Sequence, residues 1–207
     1  MGRNLTPKFK LSRREGVDLH PDLDKAGTAK SPLVRKNYAP GMHGPKNVFS
    51  KTTNYGRQLR EKQKAKRIYG IMERQFSNYF KSAISKKGDT GEVILTMLEH
   101  RLDNVIYRLG FAKTRPAARQ MVTHGHVLIN GKKSTIPSMQ VSVGAEITVK
   151  EKTTASACFK ETAAAIDRSV PSWLTRSAFA GKVVAPADLE EPKRMVDVRQ
   201  IVEHYSR

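Results

Sequence analysis

The chain is poor in cysteine and in aromatic residues. Its 207 residues include one cysteine, Cys158, so an intrachain disulfide and a zinc cluster built from several cysteines are both excluded. A lone cysteine fits a reducing compartment, and we expect Cys158 to fill a small, partly buried position. Aromatic residues make up 7% of the chain, so we expect small, mostly aliphatic cores, sufficient for two compact units rather than one large one.

The chain also lacks a long apolar run. A transmembrane helix needs about 18 or more consecutive apolar residues, and no such stretch occurs. The opening residues MGRNLTPKFK carry charges where a secretory signal would be apolar. We therefore expect a protein that stays in the cytoplasm.

Acidic residues are scarce relative to basic ones. The 38 Lys and Arg residues outnumber 19 Asp and Glu residues, which gives a net charge of +19. Such an excess repels itself unless a polyanion neutralises it. Nucleic acid, an acidic protein and, least of all, an anionic membrane surface are the candidate partners. Residues 1–97 carry a net charge of +13, residues 98–150 a net +5 and residues 151–207 a net +1, so the electrostatic footprint lies in the first half.

Residues 1–56 are rich in Pro, Gly, Lys and Arg and have few periodic apolar positions. Such a segment buries too little apolar surface to fold alone, so we expect it to become ordered only against a partner. Its stretch RKNYAPGMHGPK combines cations with Tyr38, His43 and a Pro-Gly turn, groups able to contact phosphates and stack on bases. A solvated linker is the alternative.

The stretch from Arg57 to Phe80 has a helical period. Apolar residues recur at three- and four-residue steps and predict a core-facing stripe of Tyr69, Met72, Phe76 and Phe80. Cations occur on most sides of the preceding helical segment: Arg57, Arg60, Lys62, Lys64, Lys66 and Arg67. A solvated face usually explains such a run, but Glu61 is the one acid among them, an imbalance larger than solubility requires.

The segment KKGDTGE, from Lys86 to Glu92, predicts a linker before a second unit. Beyond it, the apolar period predicts a helix from about Val93 to Arg108, with Gly110 well placed to end it. Arg101 and Arg108, seven residues apart, are expected to project from a common second face of this helix.

A second helix is predicted to follow. Thr114 suits its N-cap, Pro116 suits its first turn, and Gly125 follows its end. Arg115 and Arg119, four residues apart, are expected to align outward. The two helices would thus present four arginines.

After Gly125 the period changes from helix to strand. Residues 126–130 alternate in polarity, Asn130-Gly131 predicts a hairpin turn, and the run from Ala145 to Lys150 predicts a partner strand. This unit would carry a basic rim suited to RNA phosphates, formed by Arg115, Arg119, His124, Lys132 and Lys133. A generic basic surface is the alternative.

The stretch LEHRLDNVIYRLGFAKTRPAARQMVTHGHVLING closely resembles the RNA-binding domain of the small-subunit ribosomal protein S-four family. The similarity extends through REGVDL, YAPGMHGPK, YGRQLREKQKAKRIYGIMERQF, IPSMQVSVGAEITVKEK and IVEHYSR, and so covers nearly the whole chain. Some relatives bind zinc through four amino-terminal cysteines, but Phe9 and Ser12 stand where the first pair would fall. The resemblance is therefore to the bacterial-type form that lacks this zinc site. Pro116 also stands where relatives often carry Arg, which removes one potential phosphate contact.

The patterns and the resemblance together predict an α+β fold. A helical domain with an extended basic N-terminal tail is joined to a small antiparallel-sheet domain that contains the two-helix RNA-binding motif. We expect the tail in residues 1–45, the helical domain in 46–97 with 187–207, the RNA-binding domain in 98–160 and the remainder of the sheet domain in 161–186.

The resemblance also implies a function. It implies a structural constituent of the small ribosomal subunit that binds the five-way junction in the 5′ domain of small-subunit ribosomal RNA early in assembly. It further implies contact with ribosomal protein S-five and with other small-subunit proteins, and a contribution to translational accuracy, without a cofactor, a metal or a small-molecule substrate.

Candidate RNA contacts fall into two groups. In the module they are Arg101, Arg108, Arg115, Arg119, Gln120, His124, Gly125, His126, Asn130, Gly131, Lys132 and Lys133. In the first half they are Arg3, Lys8, Arg13, Arg14, Arg35, Lys36, Tyr38, His43, Lys46, Arg57, Arg60, Lys64 and Arg67. The charge-balanced C-terminal segment suits a protein contact instead, through Glu190, Arg194, Arg199, Glu203 and Tyr205.

An enzyme is the first alternative, because similar modules are appended to pseudouridine synthases and to a tyrosyl-tRNA synthetase. The chain has no GxSxG, GxxxxGKS or HExxH motif. Asp103, next but one to Arg101, suits an ion pair or a cap better than a general base, and His124 with His126 lacks a third metal ligand nearby. Trp173 is most simply a packing residue, with base stacking as the alternative.

A DNA-binding or nonspecific polybasic protein is the second alternative, because residues 93–125 have a helix-turn-helix pattern. The strand and NGKK turn that follow argue against it.

Overall fold

The computed structural model describes residues 4–23, 27–46, 51–155, 159 and 169–206. The predictions made for Arg3 and Cys158 lie outside these described residues. The chain divides into two compact units, one of residues 1–91 with 192–207 and one of residues 92–191. In the described part of the chain, no helix is both long and apolar enough to cross a membrane.

The first unit is helical. Its helices are α1 (Lys8–Glu15), α2 (Pro32–Arg35), α3 (Asn54–Ile68), α4 (Glu73–Ile84) and α10 (Val198–Tyr205), and it includes the end of α9 (Glu190–Met195). Helix α10 packs along α3, and the Tyr205 ring stacks on Phe80 with 4.5 Å between ring centroids. Side chains cap two of these helices: Thr53 Oγ1 accepts from the Gly56 amide at 3.1 Å, and Asp197 Oδ1 accepts from the Arg199 amide at 3.1 Å. The C-terminal segment is thereby docked onto the helices of the N-terminal half.

The predicted apolar stripe of α3 and α4 is interrupted by a turn. Gly70 has a φ of +64°, a conformation that glycine adopts easily, and it separates the two helices. Tyr69, Phe76 and Phe80 are buried as predicted. The prediction for Met72 is wrong, because it precedes α4 with extended backbone and its side chain is 43% exposed.

Two stretches of the described N-terminal segment are helical and not extended, which departs from the prediction of an extended tail. Besides forming α1 and α2, it buries Leu19, whose amide donates to Ser12 Oγ at 3.4 Å. The Glu15 side chain, 1% exposed, pairs with Arg60 and Arg67 of α3. The segment thus finds apolar and charged partners within its own chain, which its composition did not reveal.

The second unit opens with α5 (Thr90–Glu99), α6 (Leu102–Arg108) and α7 (Arg115–Thr123). The prediction of one helix from Val93 to Arg108 is wrong, because the helix breaks between α5 and α6. At the break, Val141 donates its amide to the His100 carbonyl at 2.9 Å, and Leu102 donates its amide to the Met139 carbonyl at 2.9 Å. Backbone pairing with a later segment therefore replaces the helical hydrogen bonds at this point.

The predicted second helix is confirmed. Thr114 Oγ1 accepts from the Ala117 amide at 3.3 Å, Pro116 lies in the first turn of α7, and Gly125 follows its end with a φ of +71°.

A five-stranded antiparallel sheet follows in the order β2-β1-β3-β5-β4. Its strands are β1 (Val127–Ile129), β2 (Lys132–Ser134), β3 (Glu146–Val149), β4 (Leu174–Ser177) and β5 (Ala180–Val183), with a short helix α8 (Glu151–Thr154) after β3. The predicted turn between β1 and β2 is confirmed, with φ of +48° at Asn130 and +78° at Gly131, as a type I′ hairpin requires. The α+β fold class is confirmed as well.

The core of the second unit lies among α6, α7 and the sheet. Leu109 approaches β5 so closely that a Cβ on Gly181 would lie 2.6 Å from its methyl groups, so the glycine makes this contact possible. Trp173 is 3% exposed beside the His100 ring, which makes it a packing residue. The core therefore holds α6 and α7 firmly against the sheet and positions the surface of α7.

Candidate nucleic-acid interface

Helix α7 presents two of the predicted arginines. Arg115 and Arg119 lie four residues apart on a helix whose other side buries Val122. The Arg115 guanidinium lies over the Tyr107 ring, 4.3 Å from its centroid, and Arg115 Nε donates to Asn104 Oδ1 at 2.9 Å. Arg115 is therefore half-buried and oriented by two neighbours, as an arginine prepared for a ligand would be.

Arg101 is not at the surface, and its prediction as an RNA contact is corrected. It is fully buried, its Nε donates to Asp103 Oδ1 at 3.0 Å and its Nη2 donates to Asp103 Oδ2 at 2.7 Å. It lies at the break between α5 and α6, so it does not occupy the face that a continuous helix would have given it. Asp103 is an ion-pairing group, as expected, and its Oδ2 also lies 3.5 Å from Arg119 Nη1.

Arg108 is corrected in the same way. Its side chain is 7% exposed, and its Nε and Nη2 donate to the two Glu99 carboxylate oxygens at 3.1 and 3.2 Å. Its Nη1 donates to Glu191 Oε2 at 2.6 Å. Burial of a guanidinium requires such charge-assisted partners, and the partners occupy the nitrogens that a phosphate would need.

The turn after α7 brings two histidines together. Its backbone bonds, from the Gly125 amide to the Val122 carbonyl at 2.8 Å and from the His126 amide to the Met121 carbonyl at 3.1 Å, form a Schellman motif. His124 is exposed and its ring lies 6.0 Å from that of His126, centroid to centroid. His126 is half-buried and its Nδ1 lies 2.8 Å from Thr153 Oγ1, so His124 is the more accessible of the two histidines.

The β1–β2 hairpin lies beside this turn. A Cβ on Gly125 would lie 2.3 Å from Lys133 Cε, so the Lys133 stem passes directly over the glycine. Lys132 and Gly131 are exposed, whereas Asn130 is exposed but structural, since its Oδ1 accepts from the Glu146 amide at 2.9 Å.

We name the surface formed by α7, its following turn and the β1–β2 hairpin the basic rim; it comprises Arg115, Arg119, Gln120, His124, His126, Lys132 and Lys133. Residues 113–133 contain five Lys or Arg and two His but no Asp or Glu. Arg101 and Arg108, in contrast, lie among carboxylates. The basic rim therefore concentrates positive charge without local acids in its own segment.

Sequence reasoning missed two kinds of residue. It missed the polar layer formed by the buried residues Glu99 and Asn104 and ending at the exposed Glu191, whose visible signal was the adjacent pair Asp103 and Asn104 within an otherwise apolar run. It also missed Lys113, which is exposed and opens the acid-free segment.

Several predicted cations of α3 have acidic partners in their own unit. Arg60 pairs with Glu15 at 3.3 Å, Arg67 pairs with the same carboxylate, and Lys64 pairs with Glu61 at 2.9 Å. Burial raises the pKa of Glu15 above its ordinary value, and the charges of Arg67 and Arg60 offset this only partly. These cations thus fold the unit together, whereas Arg57 at the start of α3 is exposed.

The tail brings a further set of predicted residues together. Arg13 Nε donates to the carbonyls of Lys36 and Tyr38, each at 3.2 Å, and its guanidinium lies 4.9 Å from the centroid of the Tyr38 ring. Arg13 is therefore structural in part. The remaining predicted tail cations are exposed or half-buried: Lys8, Arg14, Arg35, Lys36, His43 and Lys46.

Two of the predicted protein-contact residues dock α10 instead. Tyr205 Oη donates to Glu73 Oε1 at 2.8 Å, and Gln58 Nε2 donates to Glu203 Oε2 at 2.9 Å. Burial raises the pKa of Tyr205, and its hydrogen bond to Glu73 raises it further. Glu190, Arg194 and Arg199 are exposed.

The Glu73 carboxylate accepts hydrogen bonds from three side chains. Partial burial acts to raise its pKa, but hydrogen bonds from Lys66, Lys62 and Tyr205 outweigh that effect and lower the pKa from 4.5 to about 2. Lys62 and Lys66 each donate to the carboxylate at 2.9 Å. Glu73 therefore links α3, α4 and α10.

No group of three or more metal-ligating side chains occurs among the described residues. Within the described residues, His124 and His126 therefore have no third metal ligand near them.

Comparison with known proteins covers both units. Residues 3–99 match the family described as "Ribosomal protein S4/S9 N-terminal domain", and residues 100–147 match the "S4 domain". The chain is 48% identical to the "Small ribosomal subunit protein uS4" of Thermoanaerobacter sp. (strain X514), 48% identical to that of Clostridium tetani (strain Massachusetts / E88) and 47% identical to that of Trichlorobacter lovleyi (strain ATCC BAA-1151 / DSM 17278 / SZ). Each match covers 100% of this chain and 100% of the relative. The resemblance inferred from sequence is confirmed, and the chain belongs to the uS4 family of small ribosomal subunit proteins.

Proposed function

We propose that this chain is a structural, non-catalytic constituent of the small ribosomal subunit in the cytoplasm and that it binds ribosomal RNA through the basic rim. The observation that carries the proposal is the acid-free segment 113–133, whose cations lie on α7, the turn after it and the β1–β2 hairpin. Half-buried guanidinium groups and exposed ammonium groups on a rigid support suit the phosphates of a folded RNA. The full-length similarity to uS4 proteins supports the same assignment.

The proposed contacts differ in chemistry across the rim. Arg115 and Arg119 are suited to bidentate phosphate contacts, Lys132 and Lys133 to point-charge contacts, and His124 to stacking or a hydrogen bond on an unpaired base. Gln120 is exposed on the same helix and offers a neutral amide. The first half of the chain adds the half-buried Lys8 and a set of exposed residues: Arg14, Arg35, Lys36, His43, Lys46 and Arg57.

At a finer level, we propose that the RNA target is the five-way junction in the 5′ domain of small-subunit ribosomal RNA and that binding occurs early in assembly. We further propose that the chain contacts ribosomal protein S-five and contributes to translational accuracy, as the family resemblance implies. Because Glu203 and Tyr205 are engaged in docking α10, the proposed protein contact falls to the exposed residues Glu190, Arg194 and Arg199.

A competition experiment tests the RNA assignment against a DNA-binding one. The full chain is bound to labelled small-subunit ribosomal RNA and challenged with an equal mass of duplex DNA at fixed salt. We expect the complex to persist, since RNA shape and unpaired bases add to the phosphate attraction that both polymers offer. Displacement by duplex DNA at equal mass would contradict the proposal.

A further inference from the structure

Arg115 is the arginine of the basic rim whose surroundings are most strictly defined. It is the first residue of α7, directly after the N-cap Thr114, so its backbone is fixed by the start of the helix. One face of its guanidinium lies on the Tyr107 ring and its Nε is held by Asn104 Oδ1 at 2.9 Å. The contacts thus come from α6 and define both the direction and the plane of the guanidinium.

Asn104 is itself held in one orientation. Its Nδ2 donates to the Glu99 carbonyl at 3.0 Å and to Glu99 Oε2 at 2.8 Å, and the residue is 2% exposed. Because both amide hydrogens are directed towards Glu99, the carbonyl oxygen must face Arg115. The Glu99 carboxylate is fixed in turn by the two hydrogen bonds from Arg108. A rotated Asn104 amide would leave buried donors and acceptors unsatisfied, which is strongly unfavourable.

We propose that Asn104 is a positioning residue for RNA binding: locked by Glu99, it presets the Arg115 guanidinium so that α7 meets the RNA with this arginine already ordered. The inference rests on the proposed function of the basic rim and deepens it. A free arginine loses much side-chain entropy when it is immobilised on a ligand. An arginine that is already held at Nε and on one face of its guanidinium loses less of that entropy, so the protein binds RNA more tightly.

The neighbouring carboxylate does not offer an equally clean test. Asp103 contacts Arg119, but it also neutralises the fully buried Arg101, so its removal would leave a buried charge without its partner. Asn104 is neutral, and its replacement removes the contact to Arg115 while the Glu99–Arg108 ion pair stays intact. Asn104 is therefore the residue to change.

The test is a double-mutant cycle on the full chain, with affinity for small-subunit ribosomal RNA measured at several salt concentrations. The variants are Asn104→Ala, Arg115→Ala and their combination, and Asn104→Ser provides a second, polar replacement if the alanine variant is poorly folded. Glu191→Gln is the matched control, because it perturbs Arg108 at the other end of the polar layer without touching Arg115. Denaturant unfolding of each variant defines conditions under which all are folded.

We expect Asn104→Ala to weaken binding roughly 3- to 10-fold, the effect of ordering one long side chain. We also expect this loss to vanish in the Arg115→Ala background. The slope of log K against the logarithm of the salt concentration should stay unchanged in Asn104→Ala, because the cation is still present. In Arg115→Ala the magnitude of this slope should fall by roughly 0.7 to 0.9. Glu191→Gln should bind as the wild type does.

Three results would overturn the inference. If Asn104→Ala leaves affinity unchanged while Arg115→Ala weakens it, the positioning role is wrong and the proposed function of the basic rim stands. If Asn104→Ala weakens binding equally with and without Arg115, its effect is a general structural one and the positioning role is again wrong. If Arg115→Ala itself has no effect, the proposed RNA surface on α7 fails and the inference fails with it.

Discussion

Arg101 and Asp103 form a buried ion pair with two parallel hydrogen bonds, from Nε to Oδ1 at 3.0 Å and from Nη2 to Oδ2 at 2.7 Å. The pair lies at the break between α5 and α6, where the backbone of Arg101 forms an isolated antiparallel β-bridge with that of Gln140. An arginine in a predicted RNA-binding motif is thus part of the internal architecture of the second unit.

We predict that Arg101→Ala destabilises the second unit by about 3 kcal/mol, because the buried Asp103 carboxylate loses both hydrogen bonds from Arg101 and keeps the longer 3.5 Å contact from Arg119. Denaturant unfolding followed by the fluorescence of Trp173, the single tryptophan, reports on this unit. Arg119→Ala is the matched control, since Arg119 is partly exposed and lies 3.5 Å from the same carboxylate. It should change the unfolding free energy by less than about 1 kcal/mol. An Arg101→Ala protein of wild-type stability would show that the buried pair is not structural.

The sequence was most informative where local patterns determine structure. Thr114, Pro116 and the Asn130-Gly131 turn were predicted correctly, because caps and type I′ turns depend on a few adjacent residues. The single helix from Val93 to Arg108 was wrong, since the pairing of residues 100–102 with 139–141 is long-range.

The candidate site shows the same division. His124 and Lys133 were placed at the surface correctly from turn position, whereas Arg115, expected to point outward, is half-buried against α6. Arg108 was misplaced because one of its partners, Glu191, lies far away in sequence. The acid Glu15, likewise distant from Arg60 and Arg67, gave no local sign that it anchors the tail.

Two rim arginines should contribute separately to RNA binding. We predict that Arg115→Ala and Arg119→Ala each weaken binding by about 1.5 kcal/mol, close to tenfold, because each removes a charge-assisted contact without disturbing the core. Filter binding on small-subunit ribosomal RNA at fixed salt measures the effect. Arg74→Ala, which removes an exposed arginine of α4 outside the predicted contacts, controls for the loss of one positive charge. Equal losses in all three variants would mean that only net charge matters.

The N-terminal tail should contribute more than any single arginine. Residues 1–45 contain nine Lys or Arg against four Asp or Glu, so their deletion removes many phosphate contacts at once. We predict a larger loss of RNA affinity for this deletion than for Arg115→Ala, measured in the same assay.

Glu15→Gln is the control for that deletion. It keeps every cation of the tail and removes the charge that pairs α1 with Arg60 and Arg67. Affinity should fall less than in the deletion, while amide exchange in α1 becomes faster. A deletion that binds as tightly as the wild type would exclude the tail from the interface.

Stability of the helical unit should depend on pH through Glu73. Its pKa of about 2 in the folded chain, below the ordinary 4.5, means that folding favours the carboxylate. This contribution is complete above about pH 4.5 and is lost as the pH falls towards 2. Since Glu73 is about half exposed, solvent screening limits the change in unfolding free energy to about 1 kcal/mol. Glu73→Gln should therefore show a shallower loss of stability between pH 5 and pH 2 than the wild type, by circular dichroism.

The comparison must be made between variants, because Glu15 acts in the opposite direction: its raised pKa favours the protonated form in the folded chain. Trp173 fluorescence, which follows the other unit, should show the same pH dependence in both proteins. Parallel pH profiles in circular dichroism would refute the role of Glu73.

Chemical footprinting of isolated small-subunit ribosomal RNA, with wild type and the double variant Arg115→Ala/Arg119→Ala, tests the central claim most directly. We predict that the wild type protects nucleotides of the 5′ domain and that the double variant, folded and at saturating concentration, loses protection at a defined subset of them. Protection outside the 5′ domain would contradict the proposed target, and an unchanged footprint in the double variant would place the RNA surface away from the basic rim.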